Sequence, residues 1–163
     1  MANSWPPMSE RGPAVTEHSV AAFEAHLGTP LPKEYREFLL DVNGGQTATS
    51  HVVFPIKNDR TNLNSLNSID GANPRFDLKS RWEGVRHRLP SEVLPIGYDD
   101  GGGTIVVVVS GPKYGQVWFL DGVDPRPEGS NSRVEWFDRR DVSKLANTFR
   151  EFMNSLTPLQ GEQ

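Results

Sequence analysis

Two helices joined by a proline-containing turn are the strongest structural signal in this 163-residue chain. They meet in segment 27–45, which reads LGTPLPKEYREFLLDVNGG. Pro32 suits the first turn of a helix, where its missing N–H would have had no partner. Apolar residues then recur at helical spacing, at Tyr35, Phe38, Leu39 and Val42. Asn43 and Gly44 follow, and either can take the left-handed conformation that ends a helix, so the segment predicts a helix with a sharp stop.

Strands are expected mainly after residue 90. The run 105–109 is apolar without alternation, which predicts a central strand covered on both faces. It forms a predicted hairpin with strand 116–121 across 110–115. Further strands are predicted at 51–56, 93–98 and 133–138, where Pro55 places the first near an edge or a strand end. The asparagine-rich segment 58–74 is predicted to be a loop, and 99–103 a turn.

Helices are expected at both ends of the chain and in its middle. The first is predicted from Thr16 or Glu17 to Leu27, and another over 76–89, ending before Pro90. A last helix is expected after a cap at Asp138 or Asp141, with an apolar stripe of Val142, Leu145, Ala146, Phe149, Phe152 or Met153, and Leu156. The pattern predicts a single α+β domain, with a mainly antiparallel or mixed β-sheet and helices packed on one side.

Composition excludes several classes of protein. The chain has no cysteine, so it has no disulfide framework, thiolate zinc site, iron–sulfur cluster or cysteine nucleophile. Its net charge of −4 argues against direct nucleic-acid binding, which favours a basic domain. No apolar run approaches 18 residues, and the first ten residues lack the pattern of a signal peptide, so we expect a cytoplasmic protein outside the membrane.

Candidate catalytic residues are hard to find. His18, His26, His51 and His87 form no metal-binding motif, and no serine lies in a G-x-S-x-G sequence. We therefore predict no enzymatic activity, no catalytic or metal-binding residue and no cofactor. The segment GYDDGGG, 97–103, invites a site interpretation because it places carboxylates beside glycine amides. It matches no known ion-binding or phosphate-binding loop, so a tight turn is the simpler interpretation. If it is exposed, Tyr98, Asp99 and Asp100 are candidates for partner contact.

Charge is unevenly distributed along the chain. Basic residues outnumber acidic ones seven to four over 57–90, whereas acidic residues lead nine to five over 92–141. An acidic face can attract a basic partner, although such imbalances are also typical of an ordinary solvated surface.

Three blocks resemble the SUKH superfamily, which includes the Smi/Knr regulators and bacterial toxin immunity proteins. The first is LPKEYREFLLDVNGG, the second is LPIGYDDGGGTIVVVVSGPKYGQVWFLD at 94–121, and the third is LANTFREFMNSL at 145–156. They occur in the family's order. The resemblance implies one SUKH-like domain at 15–157, between a flexible leader at 1–14 and a tail at 158–163.

The same resemblance implies a function. It is that of a non-enzymatic immunity protein, which binds and neutralises a cognate secreted bacterial toxin domain, for example a nuclease. Acidic residues near the turn would help to capture a basic toxin, so the candidate partner-binding residues are Tyr98, Asp99, Asp100, Asp121 and Asp124. A monomer is favoured. The alternatives are a Smi/Knr-like regulatory or scaffold module, and an enzyme or small-ligand-binding protein that uses the 97–103 turn.

Overall fold

The computed structural model describes residues 5–47, 52–56, 59–121 and 135–158. The helices in this part of the chain are α1 (Glu17–Leu27), α2 (Lys33–Asp41), α3 (Leu78–Val85) and α4 (Phe149–Ser155). The strands are β1 (Met8–Ser9), β2 (Gln46–Thr47), β3 (Val52–Ile56), β4 (Asp59–Leu66), β5 (Val93–Asp99), β6 (Thr104–Val108), β7 (Val117–Leu120), β8 (Val142–Ala146) and β9 (Thr157–Pro158). Short 3-10 helices occupy Pro74–Phe76, Arg86–Arg88 and Trp136–Asp138.

The larger sheet has the strand order β8-β7-β6-β5-β4-β3-β9, and every neighbouring pair is antiparallel. Strands β1 and β2 form a separate small pair. The predicted hairpin is confirmed as β6 and β7, with Thr104 opposite Leu120. The predicted burial of β6 is also confirmed, because Ile105 and Val107 enter the main core while Val106 and Val108 enter a second cluster.

Aromatic contacts show that the larger sheet is curved. Phe54 on β3 lies 5.6 Å from Phe119 on β7, measured between ring centroids. Those strands are four positions apart in the sheet, which would separate them by roughly 19 Å in a flat sheet at about 4.8 Å per strand. Phe54 also lies 5.5 Å from Phe152 on α4. The sheet therefore curls around the main core, and the helices pack against that core.

Helices α1 and α2 form the pair that the sequence predicts. Thr16 caps α1 by accepting a hydrogen bond from the Ser19 N–H at 3.2 Å. The carboxylate of Glu24 accepts from the Leu31 N–H at 2.7 Å and from the Arg36 Nε at 3.1 Å, which connects the two helices. The hydrogen bonds that Arg36 donates to the Glu17 and Glu24 carboxylates raise the pKa of its guanidinium. The apolar stripe of α2 is buried in the core, and its burial raises the pKa of the Tyr35 hydroxyl well above the usual range.

The end of α2 is built as a left-handed run, which we call the glycine junction (residues 43–45). Asn43, Gly44 and Gly45 have φ angles of 60°, 81° and 110°. The Asn43 side chain donates to the carbonyls of Pro13 and Ile69, each at 2.8 Å, and accepts from the Ile69 N–H at 2.8 Å. Its buried amide thereby joins the N-terminal segment to the chain that follows β4. The predicted helix stop is confirmed, and it is also a tertiary junction.

Part of the predicted leader lies against the domain. Strand β1 pairs with β2, and the Gly12 N–H donates to the Asn43 carbonyl at 3.0 Å. Trp5 lies 5.3 Å from Phe38 between ring centroids, and the guanidinium of Arg150 lies 4.0 Å from the Trp5 ring. The Trp5 indole N–H also donates to Asp41 at 3.0 Å. These contacts extend the core beyond the first helix.

The predicted loop at 58–74 is wrong over its first half, which forms β4. Its asparagines alternate with more buried residues, and the strand gains backbone partners on both sides, from β3 and β5. Strand formation here depends on these neighbours, which supply hydrogen bonds that local propensity does not predict. The predicted helix at 76–89 is confirmed over α3, with 3-10 turns on either side.

The predicted start of the last helix is wrong. Residues 142–146 form β8, which pairs with β7 so that Val142 lies opposite Leu120. Helix α4 begins only after Thr148, whose hydroxyl accepts from the Glu151 N–H at 3.1 Å. The predicted strand at 133–138 is also wrong over Trp136–Asp138, a 3-10 turn whose buried Trp136 covers the second cluster; residues 133–134 lie outside the described chain.

Candidate functional site

The turn between β5 and β6 is organised by the carboxylate of Asp99. That group accepts from the Gly103 N–H and from the Thr61 hydroxyl, each at 2.6 Å. The turn is closed further by the Gly102 N–H, which donates to the Asp99 carbonyl at 3.2 Å. Asp99 is only 5% exposed, so its side chain stabilises the turn and its contact with β4.

Asp100 lies one residue further along and is exposed. One of its carboxylate oxygens accepts from the Asn64 side chain at 2.9 Å, and its N–H donates to the Asn62 carbonyl at 3.1 Å. Behind the turn, a Cβ at Gly103 would lie 2.4 Å from the Phe119 ring, so the turn sits directly on β7. Asp100 is therefore held in place on a rigid support while its side chain faces solvent.

Asp121 lies at the same end of the sheet, because Leu120 pairs with Thr104, the residue that follows the turn. It is exposed, and its N–H donates to the Asp141 carbonyl at 2.7 Å. Asp59, at the start of β4, is a further exposed carboxylate at this end. Asp59 and Asp121 both line a cleft of about 210 Å³. We call the exposed residues Asp59, Asp100 and Asp121 the acidic end of the sheet.

Cations also lie near the acidic end. Arg140 lines the same cleft, and Arg60 follows Asp59 on β4. Asp141 is paired with Arg139, whose Nη2 and Nε donate to its two carboxylate oxygens at 2.6 and 3.0 Å. The sequence-predicted residue Asp124 lies outside the described residues. The structure thus brings Asp100 and Asp121 to one end of the sheet and adds Asp59, which the sequence did not single out as a site residue.

Tyr98 has different surroundings, which we call the aromatic–arginine cluster (Arg75, Phe76, Arg81 and Tyr98). The rings of Tyr98 and Phe76 are stacked, with centroids 6.1 Å apart. The guanidinium of Arg81 lies 5.5 Å from the centre of the Tyr98 ring, and that of Arg75 lies 5.8 Å from the Phe76 ring. The Arg81 Nε is buried and has no hydrogen-bond partner among the described residues.

Sequence reasoning missed the other members of this cluster. Arg75 and Phe76 belong to a 3-10 turn, and Arg81 to α3, all within the region that resembles the SUKH superfamily least. Asp77 caps α3 by accepting from the Ser80 N–H at 3.0 Å, which fixes the helix across β5. The Asn73-Pro74 pattern does predict the cap of the 3-10 turn, and the Asp77-x-x-Ser80 pattern predicts that of α3. No local pattern indicates that Phe76 meets Tyr98.

The histidines give no metal centre in the described part of the chain. Within those residues, no group of three or more His, Asp or Glu side chains is close enough to hold an ion. His18 and His26 do line one cleft together with Asp70 and Asp77. The His26 Nε2 lies 3.0 Å from a Glu83 carboxylate oxygen, and the ring packs edge-on against Trp82 at 5.4 Å.

A scan against protein families decides the relationship. Residues 14–155 match the SMI1/KNR4 family, SUKH-1. The chain belongs to this family. The SUKH-1 match includes the glycine junction, the acidic end and the aromatic–arginine cluster, whereas Trp5, β1 and Gly12 precede it. A comparison with curated proteins gave no match. In the described part of this SUKH-1 chain, no helix combines the length and apolar character needed to span a bilayer.

Proposed function

We propose that this SUKH-1 protein is a cytoplasmic, non-enzymatic immunity protein that binds a cognate secreted toxin domain and blocks its activity. Family membership supports the class. The observation that carries the proposal is that the aromatic–arginine cluster and the acidic end meet where Tyr98 and Asp100 flank the buried Asp99. Partner-binding surfaces concentrate their energy in such aromatic and arginine side chains, with charged residues around them.

The binding energy is assigned mainly to Tyr98 and Arg81. Tyr98 is half-buried, so a partner would complete the coverage of a ring that Phe76 already holds in place. Arg81 is only partly buried and has no carboxylate partner among the described residues, so a toxin carboxylate would pair with the exposed part of its guanidinium, while its Nε stays buried. A preorganised ring and a preorganised cation lose little conformational entropy on binding, which favours a long-lived complex.

The acidic end is assigned to the capture of the partner. Asp59, Asp100 and Asp121 are exposed, and the net charge of the chain is −4. Exposed charges act mainly on the association rate, and their effect weakens as salt screens them. A basic toxin domain, such as a nuclease, would therefore associate faster at low salt. Asp99 contributes indirectly, because its buried carboxylate holds the turn that carries Asp100.

The test measures binding to the C-terminal domain of a large secreted protein encoded beside this gene, by calorimetry and stopped-flow kinetics, with toxicity assayed in parallel. We expect nanomolar one-to-one binding and loss of toxicity. Tyr98→Ala should weaken binding about thirty-fold or more, as at a hot spot. Asp100→Asn and Asp121→Asn should each slow association a few-fold at low salt and much less at high salt.

Asp70→Asn is the matched control, because Asp70 is exposed, lies away from the acidic end, and has a φ of 58° that Asn tolerates. It removes the same charge and should leave association unchanged. If the wild-type protein binds no candidate toxin, the immunity proposal is wrong. Capture of a constitutive cellular partner through Tyr98 would then favour the Smi/Knr-like regulatory or scaffold role.

A further inference from the structure

A pocket of about 230 Å³ lies between the N-terminal segment and the chain that follows β4. The backbone of Gly12 and Gly45 forms one wall, and Leu66, Gly71 and Phe76 line other sides. Its volume is below the range of about 300–1,000 Å³ that is usual for small-molecule sites. The pocket is therefore better matched to a single inserted side chain than to a metabolite.

Apolar atoms form most of the pocket surface, although the polar residues Gln46, Ser68 and Asn73 also line it. Ser65 also lies in the wall, but its hydroxyl is itself buried and offers no contact to an occupant. Glu10 is the one ionisable residue among the described residues that line the pocket, and it is exposed. A carboxylate at the rim of an apolar pocket favours a group with an apolar stem and a positive end.

The walls are held rigidly in place. The Gly12 N–H donates to the Asn43 carbonyl at 3.0 Å, and the Gly45 N–H donates to the Leu66 carbonyl at 2.9 Å. Glu10 itself has a φ of 51°, an uncommon conformation for a residue with a side chain. The fold meets the cost of this backbone conformation, so the backbone of Glu10 is already placed at the pocket before anything binds.

The pocket is continuous with the aromatic–arginine cluster. Phe76 lines the pocket and also stacks on Tyr98 at 6.1 Å. A protein that contacts Tyr98 therefore lies within one side chain of the pocket. This continuity favours a side chain of the same partner as the occupant, rather than a free ligand.

We infer that this pocket receives a lysine or arginine side chain of the partner, with its aliphatic stem against Leu66 and Phe76 and its charged end at Glu10. The inference rests on the proposed function, and it names the chemistry of the partner's anchor. Long basic side chains bury their methylene stems while the charge stays at a polar rim, which fits this arrangement. An acidic side chain would be repelled by Glu10.

The first test needs no toxin. Amide NMR spectra of the full chain are recorded during titration with N-acetyl-lysine methylamide, N-acetyl-arginine methylamide and the uncharged N-acetyl-norleucine methylamide. We expect millimolar binding of at least one cationic probe, with shifts at Leu66, Gly71 and Phe76, and at least five-fold weaker binding of norleucine. Glu10→Gln should remove that difference. Equal binding of norleucine, or no shift at the pocket with either cation, would overturn the inference.

The second test uses the toxin domain. Gly71→Leu should fill the pocket, because a Cβ at Gly71 meets only Ser68 Cβ at 3.6 Å and its backbone needs no positive φ. Gly84→Leu is the matched control, since a Cβ there meets nothing within 4 Å. Gly71→Leu and Glu10→Gln should each weaken toxin binding at least ten-fold, and Gly84→Leu should not.

The outcomes separate this inference from the proposed function. If the wild-type chain binds the toxin tightly and the Gly71→Leu and Glu10→Gln variants bind equally well, the pocket inference is wrong and the immunity role stands. If the wild-type chain binds no toxin, the proposed function is wrong, and the lysine, arginine and norleucine titrations still decide the chemistry of the pocket.

Discussion

The glycine junction at 43–45 and the surface turn at 99–103 are both glycine-rich reversals, yet their surroundings differ. Gly44 and Gly102 have almost the same φ, 81° and 86°. A Cβ at Gly44 would lie 2.6 Å from the Asn67 carbonyl oxygen and 2.8 Å from that of Leu66. A Cβ at Gly102 would meet nothing within 4 Å. Position 44 therefore favours glycine for two reasons, its positive φ and the lack of space for a side chain. Position 102 favours glycine only because of its positive φ.

The polar side chains that hold the two reversals, Asn43 and Asp99, also differ in how far along the sequence their hydrogen-bond partners lie. Asn43 is 1% exposed and bonds to two segments that are distant in sequence, at Pro13 and Ile69. Asp99 bonds to its own turn, at Gly103, and to one neighbouring strand, at Thr61. Local sequence composition thus predicts a reversal at both places. Whether a reversal links distant segments in the core or presents residues at the surface depends on what packs around it.

The largest expected effect is that of Gly44→Ala. The methyl group would impose a left-handed strain of about 1–2 kcal/mol and would also clash with buried carbonyl oxygens that belong to paired backbone, so we expect a loss of about 4 kcal/mol or more in the free energy of unfolding. Urea denaturation followed by circular dichroism measures it, or shows a variant that does not fold. A loss below about 2 kcal/mol would mean that the junction yields easily and differs little from the turn.

Asn43→Gly should have the next largest effect. Glycine keeps the backbone conformation and removes the amide, which leaves the Ile69 N–H and the Pro13 and Ile69 carbonyls without this partner. We expect a loss of about 2–3 kcal/mol, since a buried group without a partner costs about 1–3 kcal/mol. Hydrogen exchange should show faster exchange at Ile69. Unchanged exchange and stability would contradict the role of the amide as the link between the segments.

Asp99→Ala should cost less, about 1–2 kcal/mol, because it removes two hydrogen bonds at the edge of the fold. It should also release the turn and thereby weaken toxin binding through Asp100. Asp100→Ala is the control for stability, since Asp100 is exposed and should change the free energy of unfolding by no more than about 0.5 kcal/mol. Equal stability of the two variants would show that the Asp99 carboxylate does not hold the turn.

Gly102→Ala gives the smallest effect and completes the comparison. It imposes the same left-handed strain as Gly44→Ala without any contact, so we expect a loss of about 1 kcal/mol and a melting temperature lower by about 2–4 °C. Differential scanning calorimetry resolves such a shift. The difference between the two glycine variants then measures the tertiary contact alone. If Gly102→Ala is as damaging as Gly44→Ala, backbone conformation and not packing dominates both sites.

Much of the fold is predictable from the sequence where one element carries its own signal. The α2 stripe, the Asn-Gly-Gly stop and the apolar strand β6 are examples, and the resemblance to the SUKH superfamily, which the SUKH-1 match confirms, joins them into one domain. The failures have a common cause. β4 is rich in asparagine and becomes a strand only because β3 and β5 lie on either side. β8 has an apolar pattern that also fits a helix, although the Thr148-x-x-Glu151 capping box does mark where α4 begins.

The candidate site was predicted only in part. Tyr98 and Asp100 were proposed because a glycine-rich acidic turn is a recognisable sequence feature. Partner contact by Tyr98, Asp99, Asp100, Asp121 and Asp124 stays a prediction. Phe76 and Arg81 were missed because they approach Tyr98 only when α3 packs across β5.

The sequence by itself determined the class of fold, the family and the positions where the backbone must reverse, because these depend on periodicity, glycine and local caps. Only the tertiary structure decided which reversal is buried, which acidic residues share one end of the sheet, and that Glu10 and Phe76 border one pocket. Those relationships join residues tens of positions apart. They exist only after the sheet has curled and the N-terminal segment has packed onto it.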